Sequence, residues 1–541
     1  LLREDGFIPA SLRQQGRLGW LRSPEDWFDF RTPGSFTLTC EQVVTEIEPG
    51  CFELPAQQHD EGAILVFELP VQSVGWPVFE LEAPAGATCE LMTQESHDPE
   101  TSPWLDTHFF AWSRFICAEG VNRFEAFEFE SFKWLALHIH GATGPVKLCE
   151  VGLRLRRFPW PNEPKVEVSE PPLQSLFEAN VNTLHNCCFD LITDGVGRER
   201  QPYSGDAAHS LEALRYTFGE TSLPARFLFH YSKGLTPHGY LLDCWPAYDR
   251  LERISAKQLG AAFWGPILDH TVQFGFDCWQ HWQYSGDLEA AAQGYPALVA
   301  FLGYLETSVG SDGLLPVENL GEPYVYLDHQ AYRLQRHKQC PYNLYAAAML
   351  QRALTPWARA LGEQDIADRA TRLGQSLEAT TVAHFWDPET ALFVLNLPWL
   401  AEEEGPRLCD RSLSNALLFD QCSDGEVGAC LNALATRPPE LGRCYPPNEV
   451  WPLLAQARHR QLSPVLEALR GRWVEMDSVA QNGTLQEFWQ VRPDSPDEWS
   501  HCPMAPLLSL FSGVIGLAPL SPGFKRRSEE RRVGKECRSR W

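Results

Sequence analysis

The chain has 541 residues, 44% hydrophobic and 21% charged, with 45 basic against 71 acidic side chains and a net charge of −26. That length supports two or three domains and a large core. The charge argues against nucleic acid or an anionic membrane as partner, since both would repel the chain, and no uninterrupted apolar run is long enough to span a bilayer.

The 16 cysteines show no paired framework and no C-x-x-C spacing. They read as reduced thiols of an intracellular protein, without a disulfide scaffold or a zinc site. No signal peptide is visible, so the expected compartment is the cytoplasm, although the first residue is Leu1 rather than Met. The 19 tryptophans suit both core filling and stacking on sugar faces.

Residues 1–160 read as β-structure. Ile64–Leu69 is a short apolar run, Phe79 and Leu81 alternate with Glu80 and Glu82, and Ala83-Pro84-Ala85-Gly86 makes a turn. Phe127 and Phe129 alternate with Glu128 and Glu130, and Phe132–Ile139 and Val146–Leu155 add further strands. Short strands between turn signals predict a β-sandwich. Phe158-Pro159-Trp160-Pro161 and Pro164 then form a linker, after which the apolar period changes from two to 3.6. The remaining stretch, 165–520, holds roughly twelve helices of about 12 residues with their connections, a number compatible with an (α/α)6 barrel. Residues 525–541 are basic and lack a core pattern, and read as a non-native appendage.

The densest polar stretch is Asp194 to Asp206, D-G-V-G-R-E-R-Q-P-Y-S-G-D. A helical pattern leads in from Ser169, a candidate N-cap, through Leu173, Leu176, Phe177, Val181, Leu184 and Cys188. A second helix is predicted from Ala207 to about Phe218. Gly195, Gly197, Pro202 and Gly205 make the stretch between them a loop. Its carboxylates Asp194, Glu199 and Asp206 and its arginines Arg198 and Arg200 suit sugar hydroxyls, which both donate and accept. A protonated carboxyl and a second carboxylate across the ring are what breaking a glycosidic bond requires. By themselves these residue types also describe an ion-paired surface loop, the commoner use of a charge cluster.

Further on, loops combine polar and aromatic residues. Asp243, Trp245 and Tyr248 form one group. Trp264, Asp269 and His270 precede an apolar helix that Gly286 is expected to cap, and Asp328 and His329 precede an alanine-rich helix. Phe385-Trp386-Asp387-Pro388 reads as a turn between helices. Late in the chain, Thr484-Leu485-Gln486-Glu487-Phe488-Trp489 places a carboxylate among apolar residues, as a buried base would be. Ser500-His501 follows, with Glu498 nearby as a rival base.

These motifs resemble glycoside hydrolase family 78, the bacterial α-L-rhamnosidases with a six-hairpin catalytic domain, over roughly Ile64 to Phe524. The resemblance rests on Asp194, the Arg198–Glu199 pair, Gly205–Asp206, Thr484-x-x-Glu487 and Ser500–His501. The N-terminal part contributes Val74-Gly75-Trp76 and the Ser131–Trp134 strand. It implies a β-sandwich (1–160) followed by an (α/α)6 barrel (165–520), with Glu199 as general acid and Glu487 as general base. Asp194, Arg198, Asp206 and His501 would hold the sugar, with Tyr203, Trp264, Asp269 and Asp328 as further contacts. Tyr203 stands where many members carry tryptophan, and His329 where an Asp-Trp pair is common. Leu517-Ala518-Pro519 and Pro522-Gly523-Phe524 resemble the link to the family's C-terminal β-domain, which does not follow here. The implied activity is inverting hydrolysis of a terminal α-L-rhamnoside, with a rhamnose-containing glycoside as partner and no metal or cofactor. A six-hairpin hydrolase acting on a glucuronyl or fucosyl substrate, and a non-catalytic carbohydrate-binding protein, are the competing readings.

Overall fold

The chain folds as a mixed α and β protein, strands first and helices after. The computed structural model describes residues 6–20, 36–105, 112–246, 266–328, 330–332, 334–395, 408–494, 498–502 and 504–529. Among these, the strands between Phe7 and Leu155 join into one antiparallel hydrogen-bonded network. Its spine is the strand Glu61–Ala83. The first half of that strand lies between Ser11–Trp20 and Glu130–His140, and the second half pairs with Val146–Leu155 and Gly120–Glu125.

Every residue of Glu130–His140 is buried. One set of side chains, Leu135, Leu137 and Ile139, packs with Leu65 and Phe67, while Trp134 and Ala136 pack on the other face with Ile64 and Val66. A strand covered on both faces reads as a continuous apolar run, and that is the pattern seen at Ile64–Leu69. The Phe127–Glu130 alternation is not a strand as expected. The preceding strand ends at Glu125 and the next begins at Glu130, and Phe127 stands 99% exposed in the turn between them.

One irregularity matters for the site. Phe132 lies opposite Ser73, but Trp134 lies opposite Glu68. Leu69–Gln72 therefore bulge from the ladder, which frees their polar groups to bond elsewhere.

The cysteine expectation needs correction. Cys51 and Cys149 form a disulfide, with Cα atoms 4.4 Å apart. They follow directly on the Phe52–Leu148 pair of adjacent antiparallel strands. A cross-strand pair separated by 98 positions leaves no spacing signature in the sequence.

Helices dominate from Pro171 onward. The first, α1 (Pro171–Cys187), is entered at Glu170, one residue past the predicted cap, and buries Leu173, Leu176, Phe177 and Leu184. The next, α2 (Ser204–Thr217), starts three residues earlier than expected, so Asp206 sits in a first helical turn rather than in the loop. The helix Leu268–Ser285 ends at Gly286, whose φ of 74° is the left-handed conformation glycine permits. Trp386–Asp387 pairs with Leu392–Phe393 as a short hairpin after the helix Gln364–Phe385. No described helix is long and apolar enough to cross a membrane. Within the basic stretch 525–541, Arg527–Glu529 pairs with Leu517–Pro519, so its first residues do join the fold.

Candidate active site

The loop between α1 and α2 is pinned from below. Asp194 donates its backbone N–H to Gln201 O at 3.0 Å, and its Oδ1 accepts the Gln201 N–H at 2.8 Å. Arg200 takes a positive φ of 58°, and its Nε donates to Val196 O at 2.7 Å. Its guanidinium pairs with Glu130 on the strand domain and lies over the Phe129 ring. The loop is thus braced internally and anchored to the strand network at Glu130.

Opposite it runs a second pair of segments. His501 N–H donates to Leu485 O at 2.8 Å and Glu487 N–H to Glu498 O at 3.1 Å, so 485–487 and 498–501 lie side by side. Gly195 bridges to His501 in antiparallel fashion, and Cys502 N–H donates to Asp194 O at 3.0 Å. Residues more than three hundred positions apart are brought into contact in this way.

Asp194, Arg198, Glu199, Tyr203, Asp206, Glu487 and His501 all line one pocket. Within it, Arg198 stands between the two glutamates. Its Nη2 donates to Glu487 Oε2 at 2.8 Å, and its Nε lies 3.9 Å from Glu199 Oε1. One planar guanidinium spans the gap, so those two oxygens are at most about 9 Å apart, a ceiling that admits the roughly 6.5–9.5 Å separation of inverting glycosidases. The Tyr203 hydroxyl donates to Glu199 Oε2 at 2.7 Å. Here its observed role is to hold a carboxylate.

The electrostatics are those of crowded, buried acids. Burial opposes the charge on Arg198, but Glu487, Glu498, Glu199 and Asp194 outweigh it and hold the guanidinium firmly protonated. Burial, then Glu199 and Asp206, push the Asp194 carboxyl well above the usual range. Burial, then Glu487 and Glu199, raise Asp206 to about 7. His501 Nε2 lies 3.7 Å from Asp206 and 3.6 Å from Glu498.

Two predicted contacts, Asp269 and Asp328, are absent from this lining. Both Asp269 oxygens accept backbone N–H groups, from Tyr326 at 2.7 Å and Leu327 at 2.9 Å. Asp328 accepts from Gln330, Ala331, Tyr445 and Asn448. Neither lines this pocket, although Asp269 lines an adjoining one that shares Asp206, His270, Tyr326 and Tyr445 with it; both carboxylates fix loop backbone. Trp264, with Tyr248 and His329, lies outside the described residues. Asp243 and Trp245 are described, and they too stand away from the pocket lining. Glu498 is buried behind the wall, where its Oε1 accepts the N–H groups of Arg198 at 3.2 Å and Glu199 at 3.4 Å.

The pocket also takes Ile267, His270, Tyr326 and Tyr445. Tyr445 and Ile267 carry no local signal in the sequence. His270 stood in a noted loop without being distinguished from its neighbours, and Tyr326 lies two positions before the noted Asp328. As for metals, Asp194, Glu498 and His501 have potential ligand atoms within 4.8 Å of one another, as do Asp206, His501 and Cys502. Asp194 and Glu498 each already spend one oxygen on backbone donors, and acid–base hydrolysis needs no ion.

Residues 162–412 match the family model for the bacterial alpha-L-rhamnosidase 6 hairpin glycosidase domain. No curated protein matches the chain. Among solved structures, the fold resembles the GH78 family rhamnosidase of Bacillus sp. GL1, with TM-score 0.74 and 21% identity over 90% of this chain and 50% of that one. It also resembles a rhamnosidase from Klebsiella oxytoca with rhamnose bound, with TM-score 0.70 and 16% identity over 94% and 97% of the two chains. The Streptomyces avermitilis α-L-rhamnosidase complexed with L-rhamnose gives TM-score 0.68 and 18% identity over 91% and 45%. At these identities the likeness is one of fold, and the chain spans about half the length of the Bacillus and Streptomyces proteins. The family that the loop motifs resemble and the family that residues 162–412 match are the same: the bacterial α-L-rhamnosidases of the six-hairpin glycosidase type.

Proposed function

We propose that the protein is an inverting α-L-rhamnosidase that releases terminal rhamnose from a glycoside. The observation that carries this reading is the convergence of Glu199 and Glu487 on one pocket, bridged by Arg198. In the same reading, the strand network is the β-sandwich of the family and the helices are its (α/α)6 barrel.

Glu199 protonates the leaving oxygen, with its second oxygen held by Tyr203. Glu487, paired with Arg198, takes the proton of a water that attacks the anomeric carbon from the opposite face. Asp194, Asp206 and His501 face the sugar hydroxyls and fix the ring between the two carboxylates. Arg198 supplies charge-assisted donors to whichever acid is ionised.

A panel of nitrophenyl glycosides tests the substrate. Turnover of α-L-rhamnoside is expected, and turnover of the other sugars without it would overturn the reading. NMR of the first-formed anomer tests stereochemistry: β-L-rhamnose is the expected first product. Glu199→Gln and Glu487→Gln should each lower kcat by about 10²–10⁴-fold, the range of general acid and base catalysis. Wild-type turnover in both variants would remove the catalytic assignment.

A further inference from the structure

One carboxylate of the strand network, Glu95, touches both catalytic segments. Glu95 follows the strand Thr88–Gln94 and is 6% exposed. Its Oε1 accepts from Gln72 Nε2 at 2.5 Å and Ser131 Oγ at 2.8 Å, and its Oε2 accepts the Trp499 N–H at 2.8 Å. Trp499 lies in the segment that carries His501 and runs beside Glu487. The same carboxylate also touches the acid loop. A Cβ on Gly197 would fall 2.4 Å from the Glu95 carboxyl carbon, so the loop backbone lies directly on it, two residues before Glu199.

Gln72 reinforces the arrangement from the bulge described above. Its backbone N–H donates to Asn482 O at 2.9 Å, and its Oε1 accepts from Asn482 Nδ2 at 2.7 Å. Its carbonyl accepts from Asn182 and Asn186 of α1, and Asn186 also donates to Ser500 Oγ. A bulge that turns one residue out of a ladder is a recurrent way to aim a side chain at a neighbouring site. Glu95 is not among the residues that line the pocket.

Resting on the rhamnosidase reading of the pocket, we propose that Glu95 is a positioning residue for catalysis. This one carboxylate of the strand domain sets the acid loop, at Gly197, and the base segment, at Trp499, relative to each other. All three of its side-chain partners are donors, so a carboxylate satisfies them together and an amide does not.

The test uses the full chain with Glu95→Gln, Glu95→Asp, Gly197→Ala and the pair Glu95→Asp/Gly197→Ala. Turnover is compared on two aryl α-L-rhamnosides, dinitrophenyl and methoxyphenyl. A dinitrophenolate leaves without proton donation, so the ratio of the two rates reports the alignment of Glu199 and is independent of the fraction of folded protein. Glu95→Gln and Gly197→Ala, the two single variants that test alignment, should each lose about tenfold to a hundredfold in kcat on the methoxyphenyl substrate, the range a small misplacement causes. The loss on the dinitrophenyl substrate should be smaller, and KM should change little. The paired variant, which shortens the carboxylate where the methyl is added, should exceed the product of the single effects of Glu95→Asp and Gly197→Ala. An unchanged rate ratio in both Glu95→Gln and Gly197→Ala, or effects in the pair that simply multiply, would overturn the proposal. Amide hydrogen exchange provides the second measurement: Glu95→Gln should speed exchange in both 194–201 and 484–501, and unchanged exchange there would also overturn it. If the wild type turns over no rhamnoside, the functional reading falls by itself, and exchange still decides whether Glu95 holds the two segments.

Discussion

Arg198 donates from Nη2 to Glu487 Oε2 at 2.8 Å while its Nε stands 3.9 Å from Glu199. The two carboxylates therefore lie within about 9 Å of each other across one rigid group. A lysine at this position keeps the charge but has neither the planar fork nor the reach to both acids. Arg198→Lys should lower kcat/KM on an aryl rhamnoside by about tenfold to a hundredfold, the cost of a small misplacement of catalytic groups. Steady-state kinetics check this, and equal kcat/KM in variant and wild type would show that the bridge is incidental.

Tyr203 offers a cleaner excision. Its hydroxyl donates to Glu199 Oε2 at 2.7 Å, and the ring is buried. Tyr203→Phe removes the donor and keeps the ring. A hydrogen bond to a charged group contributes about 1.5–3 kcal/mol, so a loss of roughly tenfold or more in kcat is expected if the bond persists in the transition state. Thermal unfolding should move little. A large fall in Tm with unchanged kcat would mean that the hydroxyl serves folding instead.

The catalytic candidates were legible because their chemistry is local. Asp194, Arg198, Glu199, Tyr203 and Asp206 occupy thirteen consecutive positions, and the Glu487 and His501 motifs are equally compact. What joins these segments is not local. Gly195 meets His501, and Cys502 meets Asp194, through tertiary pairings that leave no period or spacing behind. Tyr445 and Ile267 reach the pocket from distant elements in the same way. Asp269 and Asp328 show the converse: a polar residue in a loop is visible in the sequence, but the direction of its carboxylate is not. Both turn inward to backbone N–H groups. The strand domain was readable as β-structure, yet its long buried strands pair across breaks in register that only the folded ladder reveals.

Arg200 links the acid loop to the strand domain through Glu130, and both side chains are buried. Removing one partner of a buried ion pair costs about 3–5 kcal/mol. Arg200→Met should therefore unfold at a clearly lower temperature than wild type. Adding Glu130→Gln should recover part of the loss, because the buried charge that Arg200 served is gone. Calorimetry on the single and double variants checks both points. A double variant less stable than Arg200→Met would contradict the pairing.

Asp277 makes the pH dependence testable. Its carboxyl is fully buried, accepts from Gln273 at 2.8 Å and Ser204 at 3.2 Å, and is pushed up to about 7 by burial, against the pull of those bonds and of Arg215. In the unfolded chain it titrates near its ordinary value of 3.8. Between about pH 4 and 7 the folded state therefore holds a proton that the unfolded state has lost. The stability slope with pH follows protons bound in the unfolded state minus those in the folded state, so this group makes it negative. Its contribution is complete below about pH 4 and is lost as pH rises to 7. Asp277→Asn cannot titrate, so the variant escapes that loss. Tm of the variant relative to wild type should therefore rise steadily from pH 4 to pH 7 and level off above it. Thermal unfolding of both proteins at half-unit pH steps measures the difference directly. A difference that stays constant across the window would show that Asp277 is ionised in the folded protein throughout, and that its two hydrogen bonds outweigh its burial.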